Sequence, residues 1–552
     1  MQPKGSRHLF LAGFRVTSLG ILASRVLGML RDMATASLLG MSGSGVMDAF
    51  VVAFRLPNLF RRLFGEGALA TSYLPVFTAQ WERSPRLAWQ LASVLLSLLT
   101  ALLALIVVVG EVCLGWWMRQ GEAAAGDRLL LGLSAVMLPY LIFICLAAQV
   151  SATLHAVGHF AAPALAPILL NVCWLAAAWW LAPLWSDEPA TQAYVIAWSV
   201  VVAGAAQLLV QLPALRRYGA RFDWNWGASR EAVGEVAIAT LPMLLGLAVT
   251  QINTFLDSVI AWSFTLKDPA QPLIAWTGDR LRYPLEQGAA SALYLGERMY
   301  QFPQGLLGIA IATAIFPLLS RHAARGDRAQ LTDDLCLGLR VTLFIALPAS
   351  AGLVLLAEPI TRLLFEHGQF TASDTLRTAR MIAIYGSAVW AYCAAPVMVR
   401  GYYALGDRQT PVRIGMACVG LDLVLNVLLI WPLAEAGMAL STALVSCLQL
   451  AVLMALFTRN DHRLDWRGLG QTAWKSCAAT AVMGLASGLT LWGLRSAGGW
   501  SEAWLVGAPL LVGVALFGMA AWWLEQEELG MLWGRSGPQK TAGREEPTER
   551  PT

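Results

Sequence analysis

The sequence predicts an all-α, polytopic membrane protein of about 14 transmembrane helices, and three observations carry that expectation. Apolar runs of about 20 residues, enough to span a bilayer, recur from one end of the chain to the other. Of the 552 residues, 57% are hydrophobic and 13% charged, where a soluble protein carries roughly 25% charged residues. Short motifs also recur in order at nearly equal offsets, as duplication of a helical unit requires.

The apolar runs lie near 91–117, 129–154, 161–184, 190–214, 233–264, 300–319, 338–357, 379–399, 411–432, 436–457, 473–494 and 502–524. Two more segments, 9–40 and 46–80, have the helical pattern but are interrupted by charge, and including them brings the total to about fourteen. Lys and Arg gather at the N-terminus and at 83–86, 216–230, 321–328, 408–413 and 459–475, whereas 41–45, 185–191 and 431–437 hold none. That asymmetry predicts N-in, C-in topology under the positive-inside rule, with Lys267, Arg280 and Arg282 as exceptions in a longer polar loop at 266–290. "LFLAGF" is too short for a signal-peptide core and Arg15 ends it, so the first helix is expected to stay. The tail 534–552 is polar and rich in Pro and Gly, a composition that predicts disorder.

The net charge of +4 is spread over short loops, so no clustered basic face for nucleic acid is expected. Eight cysteines lie scattered, mostly inside apolar runs, with no CxxC or Cys/His grouping that would mark a metal centre.

"ALATSYLP" (68–75) and "AIATAIFP" (310–317) share A-x-A-T-x-x-x-P, and "HAVGHFAAP" (155–163) parallels "YALGDRQTP" (403–411) in its Ala, Gly and Pro. The expected organisation is therefore two six-helix lobes related by a pseudo-two-fold axis, 9–217 and 231–458. Two extra helices at 473–526 and the tail at 534–552 complete the chain.

Charge inside the spans is the functional signal. On a helical wheel Thr17, Ser18, Ser24, Arg25, Gly28, Arg31, Asp32 and Thr35 share an arc of roughly 140°. The second segment adds Arg55, Asn58, Arg61, Arg62 and Glu66, and "ALYLGERMYQFPQGLLG" (292–308) adds Glu297 and Arg298. Each mid-bilayer Arg costs on the order of 2.5–3.5 kcal/mol on insertion scales, which calls for a use or a full set of partners. Internal ion pairs, such as Arg31 or Arg25 with Asp32 and Arg62 with Glu66, are one use. Six arginines (Arg25, Arg31, Arg55, Arg61, Arg62, Arg298) nevertheless face three acids (Asp32, Glu66, Glu297). The surplus points to an anion, and the planar Arg fork matches phosphate oxygens.

A second polar set comprises Asn253 and Asp257, Asp422 and Asn426, each at i,i+4, with Thr442 one helix later. Carboxylate, amide and hydroxyl oxygens suit Na⁺, and the acids alone suit a proton. Helix-to-helix hydrogen bonding is the other reading of the same residues.

"SRVLGMLRDM" (24–33), "MDAFVVAFRLPNLFRRLFGEGALATSYLPVF" (47–77) and "ERMYQFPQGLLGIAIATAIFPLLSR" (297–321) resemble the MurJ/MviN lipid II flippases of the multidrug/oligosaccharidyl-lipid/polysaccharide exporter superfamily. The likeness runs from about 9 to 458, and the two extra C-terminal spans fit the same family. It implies a transporter, not an enzyme, in the bacterial cytoplasmic membrane. Its substrate would be lipid II, the undecaprenyl-pyrophosphate-linked peptidoglycan precursor, with the cell-wall synthesis machinery as a partner and no cofactor. It also implies substrate-binding roles for Arg25, Arg31, Arg61 and Arg298, with Asp32 and Glu66 beside them, and a gate contact at Asp48. Coupling would come from Na⁺ or H⁺ at Asp257, Asp422, Asn426 and Thr442, or from the membrane potential. The long 266–290 loop departs from the family pattern.

Three alternatives can be weighed against these residues. A flippase for another polyprenyl-linked oligosaccharide, such as an O-unit lipid, would share the cationic cavity. A drug or cation antiporter would favour acids there, and a membrane glycosyltransferase would need a sizeable loop or a carboxylate–metal motif.

Overall fold

The computed structural model describes residues 4–65, 68–120, 125–268, 270–274, 278, 280–459 and 463–532. Among them there is no β-strand, only two isolated bridges, Thr265 with Leu285 and Leu273 with Arg282, that fold the 264–288 loop back on itself. The chain is otherwise helical. In order the helices are α1 (Lys4–Leu39), α2 (Val46–Phe60), α3 (Ala68–Arg83), α4 (Pro85–Arg119), α5 (Gly126–Ala156), α6 (Ala161–Trp185), α7 (Pro189–Arg217) and α8 (Trp226–Ser263). They continue as α9 (Ala289–Ala324), α10 (Arg328–Leu355), α11 (Ala357–Phe365), α12 (Ala372–Ser387), α13 (Val389–Ala404), α14 (Gln409–Leu433) and α15 (Glu435–Arg459). The last three are α16 (Trp466–Ala497), α17 (Glu502–Trp523) and α18 (Glu527–Leu532).

Among the described residues, ten of these are long and apolar enough to cross a membrane, or eleven when the pair α12–α13, bent by 41°, is counted as one span. With α1, α2–α3 and α8 the long helical segments are consistent with the expected fourteen. The run expected at 379–399 is thus two helices meeting at a bend, and α11 and α18 are short helices that periodicity did not mark. The tail 534–552 lies outside the described residues.

The chain packs into two compact units. Unit 1 comprises Met1–Met299, Ile360–Tyr385 and Val412–Val445, and unit 2 comprises Tyr300–Pro359, Gly386–Pro411 and Ser446–Thr552. Lipid tails are as apolar as the helices, so side-chain hydrogen bonds and close packing hold such bundles together. In unit 1, Gln207 Nε2 donates to the Ala166 carbonyl (2.7 Å) and Gln211 Nε2 to that of Ala147 (3.1 Å), joining α7 to α6 and α5. An aromatic ladder, Tyr73–Phe77–Trp81 with Trp89 edge-on, joins α3 to α4. In unit 2, α16 and α17 pair through Ser487 Oγ and the Pro509 carbonyl (2.8 Å). Buried Glu528 of α18 accepts from Arg340 of α10 (2.8 Å) and Thr472 of α16 (2.7 Å). A Cβ on Gly308 would meet Cys393 Cα at 2.7 Å, so only glycine permits α9 and α13 to lie this close.

The repeat is visible in local geometry. Both A-x-A-T motifs follow a π turn, Arg61–Gly65 before α3 and Gln304–Gly308 within α9. Pro57 and Pro303 each sit within a turn of the widening, where a missing N–H interrupts the helical ladder. Gly45 and Gly288 open the two helices at φ 64° and 93°, and lie the same 243 residues apart as the π turns. The second motif ends α5 and α13 alike. Gly158 (φ 81°) and Gly406 (φ 83°) adopt the left-handed conformation, with His159 N–H bonding the Leu154 carbonyl and Asp407 N–H that of Tyr402. This is a glycine helix stop repeated 248 residues on.

Candidate functional site

The charged residues of α1, α2 and α9 assemble inside unit 1. Asp32 is the hub. Its Oδ1 accepts from Arg31 Nη2 (2.8 Å), Arg31 Nε (3.1 Å) and the Tyr294 hydroxyl (3.2 Å). Its Oδ2 lies 3.2 Å from Arg298 Nε. That nitrogen is out of line for a hydrogen bond and makes none among the described residues. Arg298 Nη2 donates instead to the Tyr294 hydroxyl at 2.7 Å, which positions the phenol to donate to Asp32.

The arginines are also held by aromatic faces. The Arg31 guanidinium stands 4.4 Å from the Trp174 ring centre and its Nη1 reaches Asn171 Oδ1 at 3.4 Å. Arg55 and Arg298 lie 5.2 and 4.8 Å from the same Tyr294 ring, a cation–π arrangement that desolvation strengthens. Arg55 Nη2 donates to Glu297 Oε2 at 2.7 Å, while its buried Nε has no partner among the described residues. Arg55 and Arg298 are repeat equivalents, separated by the same 243 residues as Gly45 and Gly288. Two copies of one sequence position thus meet at one tyrosine.

The cluster therefore differs from the bare count of charges. Arg31 and Arg298 share Asp32 and Arg55 takes Glu297, so part of the surplus is compensated internally. Arg25 is exposed and stands apart from these contacts. Arg61 lies in the π turn and donates to Asn58 Oδ1 (3.0 and 3.1 Å), and Arg62 to Gln251 Oε1 (3.2 Å). Glu66, the expected partner of Arg62, lies outside the described residues. Tyr294, Asn171 and Trp174 escaped sequence reasoning, since a lone aromatic or amide in an apolar run carries no pattern. The signal that was present for Tyr294 is its i,i+4 spacing from Arg298.

The second polar set also assembles in unit 1. Asn253 Nδ2 donates to Asp422 Oδ2 (2.9 Å) and to Asp257 Oδ2 (3.3 Å), and Asn426 Nδ2 to Asp257 Oδ1 (2.7 Å). Ser441 Oγ donates to Asp422 Oδ1 at 2.6 Å. The amide oxygens of Asn253 and Asn426 are buried with no donor among the described residues. Asp257 and Thr442 line a small cavity of about 10 Å³, room for about one water, together with Arg55, Glu297 and Tyr385, so one ion pair of the first set and one acid of the second face the same space. No group of three or more His, Cys, Asp or Glu suited to a metal occurs among the described residues.

Asp48, near the start of α2, caps the start of α9. Its Oδ2 accepts from Gly288 N–H (2.7 Å), and its Oδ1 from Ser291 N–H (2.8 Å) and Oγ (2.6 Å). A buried carboxylate at a helix N-terminus satisfies amides that have no partner within the helix. Nearby, Arg377 of α12 pairs with Glu435 of α15 (2.9 Å) and donates to the Gln287 carbonyl (2.7 Å). Ser42 donates to Asp374. These contacts tie α2, α9, α12 and α15 to one another.

The family model described as "Lipid II flippase MurJ" matches residues 35–512. The chain belongs to the lipid II flippase MurJ family. It is 31% identical over 528 residues to a probable lipid II flippase MurJ of Vibrio cholerae, covering 93% of this chain and 94% of that one. To the probable lipid II flippase MurJ of Rhizobium tropici it is 30% identical over 533 residues, covering 93% of each. Among solved structures, "Lipid II flippase MurJ, inward closed conformation" matches with TM-score 0.72 at 20% identity, over 93% of this chain and 99% of that one. An inward-facing multidrug resistance MATE family transporter matches at 0.62 and 14% identity, over 79% and 94%. At these identities both structures bear on the fold alone. Membership in the family makes this chain a transporter rather than an enzyme, and a multi-pass protein of the bacterial inner membrane.

Proposed function

We propose that the protein moves lipid II from the inner to the outer leaflet of the cytoplasmic membrane by alternating access. One observation carries this reading. Arg31, Arg55 and Arg298 converge within the spans, and the buried Nε–H groups of Arg55 and Arg298 make no hydrogen bond among the described residues. Buried donors without acceptors are rare, and an anion of several oxygens supplies what they lack. Lipid II carries such an anion in its pyrophosphate.

In this reading Arg31, Arg61 and Arg298 hold the pyrophosphate, with Arg25 on the approach and Asp32 and Glu66 beside them, while the polyprenyl tail stays in the bilayer. Unit 2 offers an apolar groove for that tail, lined by Leu347, Val354, Trp390, Thr480 and Gly484 among others, with α16 forming one wall. The lobes 9–217 and 231–458 rock about the cavity, Asp48 works at the gate, and both termini face the cytoplasm. A cation, Na⁺ or H⁺, resets the lobes at Asp257, Asp422, Asn426 and Thr442. The unpartnered oxygens of Asn253 and Asn426 fit it, because a hard cation needs oxygen ligands beyond two carboxylates. The membrane potential, worth about 2.3 kcal/mol per charge across 100 mV, acts on the same residues.

The test is reconstitution in vesicles with labelled lipid II and, separately, an O-unit lipid. Flipping of lipid II is expected. Flipping of the O-unit lipid alone would overturn the assignment.

A further inference from the structure

Asp32 is held as a phosphoryl group would be held. Four contacts from two guanidiniums and one phenol converge on its two oxygens, at 2.8 to 3.2 Å. The donors come from α1 and α9, and each is braced from behind. Arg31 leans on Trp174 and Asn171, and Arg298 on the Tyr294 ring. The carboxylate itself is buried. Yet it does not satisfy the donors around it: Arg298 Nε lies 3.2 Å from Oδ2 but out of line for a hydrogen bond, and neither it nor the nearby Arg55 Nε makes a hydrogen bond among the described residues. A carboxylate offers two oxygens and one charge; one phosphorus of a diesterified pyrophosphate offers as much, and the pair together offers four terminal oxygens and two charges.

We propose that Asp32 is the carrier's internal counter-anion: its carboxylate occupies, among Arg31, Tyr294 and Arg298, the place that one phosphoryl group of the substrate takes, and the substrate must displace it. This inference rests on reading the cluster as a pyrophosphate site. The physical need is plain. A carrier that alternates passes through an empty state, and guanidiniums clustered at low dielectric without an anion repel one another. Asp32 shares its helix with Arg31, so it is always present at high effective concentration. Substrate affinity then becomes a difference between two anions, and the returning carboxylate helps to expel the headgroup. A carboxylate that merely ties α1 to α9 would have neither effect.

Asp32→Asn keeps the shape and removes the charge. Measured on the full-length protein in vesicles, it is expected to lower the half-saturating concentration of labelled lipid II about tenfold. The maximal flipping rate is expected to fall by a similar factor, because the empty carrier resets poorly. Inorganic pyrophosphate should raise the thermal midpoint of Asp32→Asn more than that of the wild type. Asp32→Glu, which restores the charge, should bring all three values back toward wild type. Unchanged or weaker affinity in Asp32→Asn overturns the counter-anion role and leaves a helix tie. If Arg31→Ala and Arg298→Ala also leave affinity unchanged, the pyrophosphate reading fails too, so the two failures are separable. Should Asp32→Asn and a second neutral variant, Asp32→Ser, not fold alone, added pyrophosphate supplies the missing anion and is expected to restore folding. No restoration overturns the proposal.

Discussion

Two polar clusters in unit 1 occupy comparable places in the repeat and carry opposite polarity. In the first repeat α1 faces α6, and Arg31 and Asp32 meet Asn171. In the second α8 faces α14, and Asn253 and Asp257 meet Asp422 and Asn426. Among the described residues, the first cluster ends with donors that make no hydrogen bond, the Nε–H of Arg55 and of Arg298. The second ends with acceptors that receive none, the amide oxygens of Asn253 and Asn426. Arg55 and Glu297 of the first cluster and Asp257 of the second line one small pocket. The difference lies in which half of each hydrogen bond is left over, more than in total charge.

Four experiments break or sharpen that contrast. The largest effect is expected from Glu297→Gln, which leaves the buried Arg55 guanidinium without its counter-charge. Loss of about 3–5 kcal/mol of stability is expected, read as a lowered thermal midpoint of the purified protein. Most of it should return in the double variant Arg55→Gln/Glu297→Gln, and no recovery would mean that the pair acts through packing alone. Next, Arg31→Ala and Arg298→Ala should each reduce lipid II flipping about a hundredfold, in line with the 2–5 kcal/mol cost of truncating a buried charged partner. They should fail to rescue a flippase-depleted strain at normal protein level; full rescue would leave the cluster a set of ion pairs.

A smaller effect belongs to the acceptor cluster. Asp257→Asn or Asp422→Asn should weaken by about tenfold the Na⁺ concentration dependence of thermal stabilisation, equivalent to about 1.4 kcal/mol. An unchanged Na⁺ response in both variants would leave only helix-to-helix hydrogen bonding there. Smallest are Gly158→Ala and Gly406→Ala. Each places a Cβ in the left-handed region at a cost of about 1 kcal/mol, and near-equal losses would confirm that the two helix stops are one device used twice.

Much of this was legible in the sequence. The repeat needed only seven matched letters, and the structure adds π turns and glycine stops at nearly the same offsets. The charged segments 9–40 and 46–80 were recognisable as helices because their polar residues keep a helical period. The site was legible as a set of residue types and not as a set of contacts. Arg25 and Arg31 share a helix face, yet Arg31 is buried against Trp174 while Arg25 is exposed. A helical wheel cannot separate them, because depth along the axis is set by the neighbouring helix. Arg55 gave no hint of Glu297, its partner 242 residues away.

The sequence by itself determined the solvent, the helices, the recurring motifs and the kind of charge inside the spans, because each is written in local composition or in a period along one chain. Only the tertiary structure decided that Asp32 serves two arginines, that repeat-related Arg55 and Arg298 meet at Tyr294, and which donors and acceptors stay unpaired. Hydrogen bonding is satisfied pair by pair in space, over distances of about 3 Å. No pattern along the chain records which groups are left over once the helices have packed.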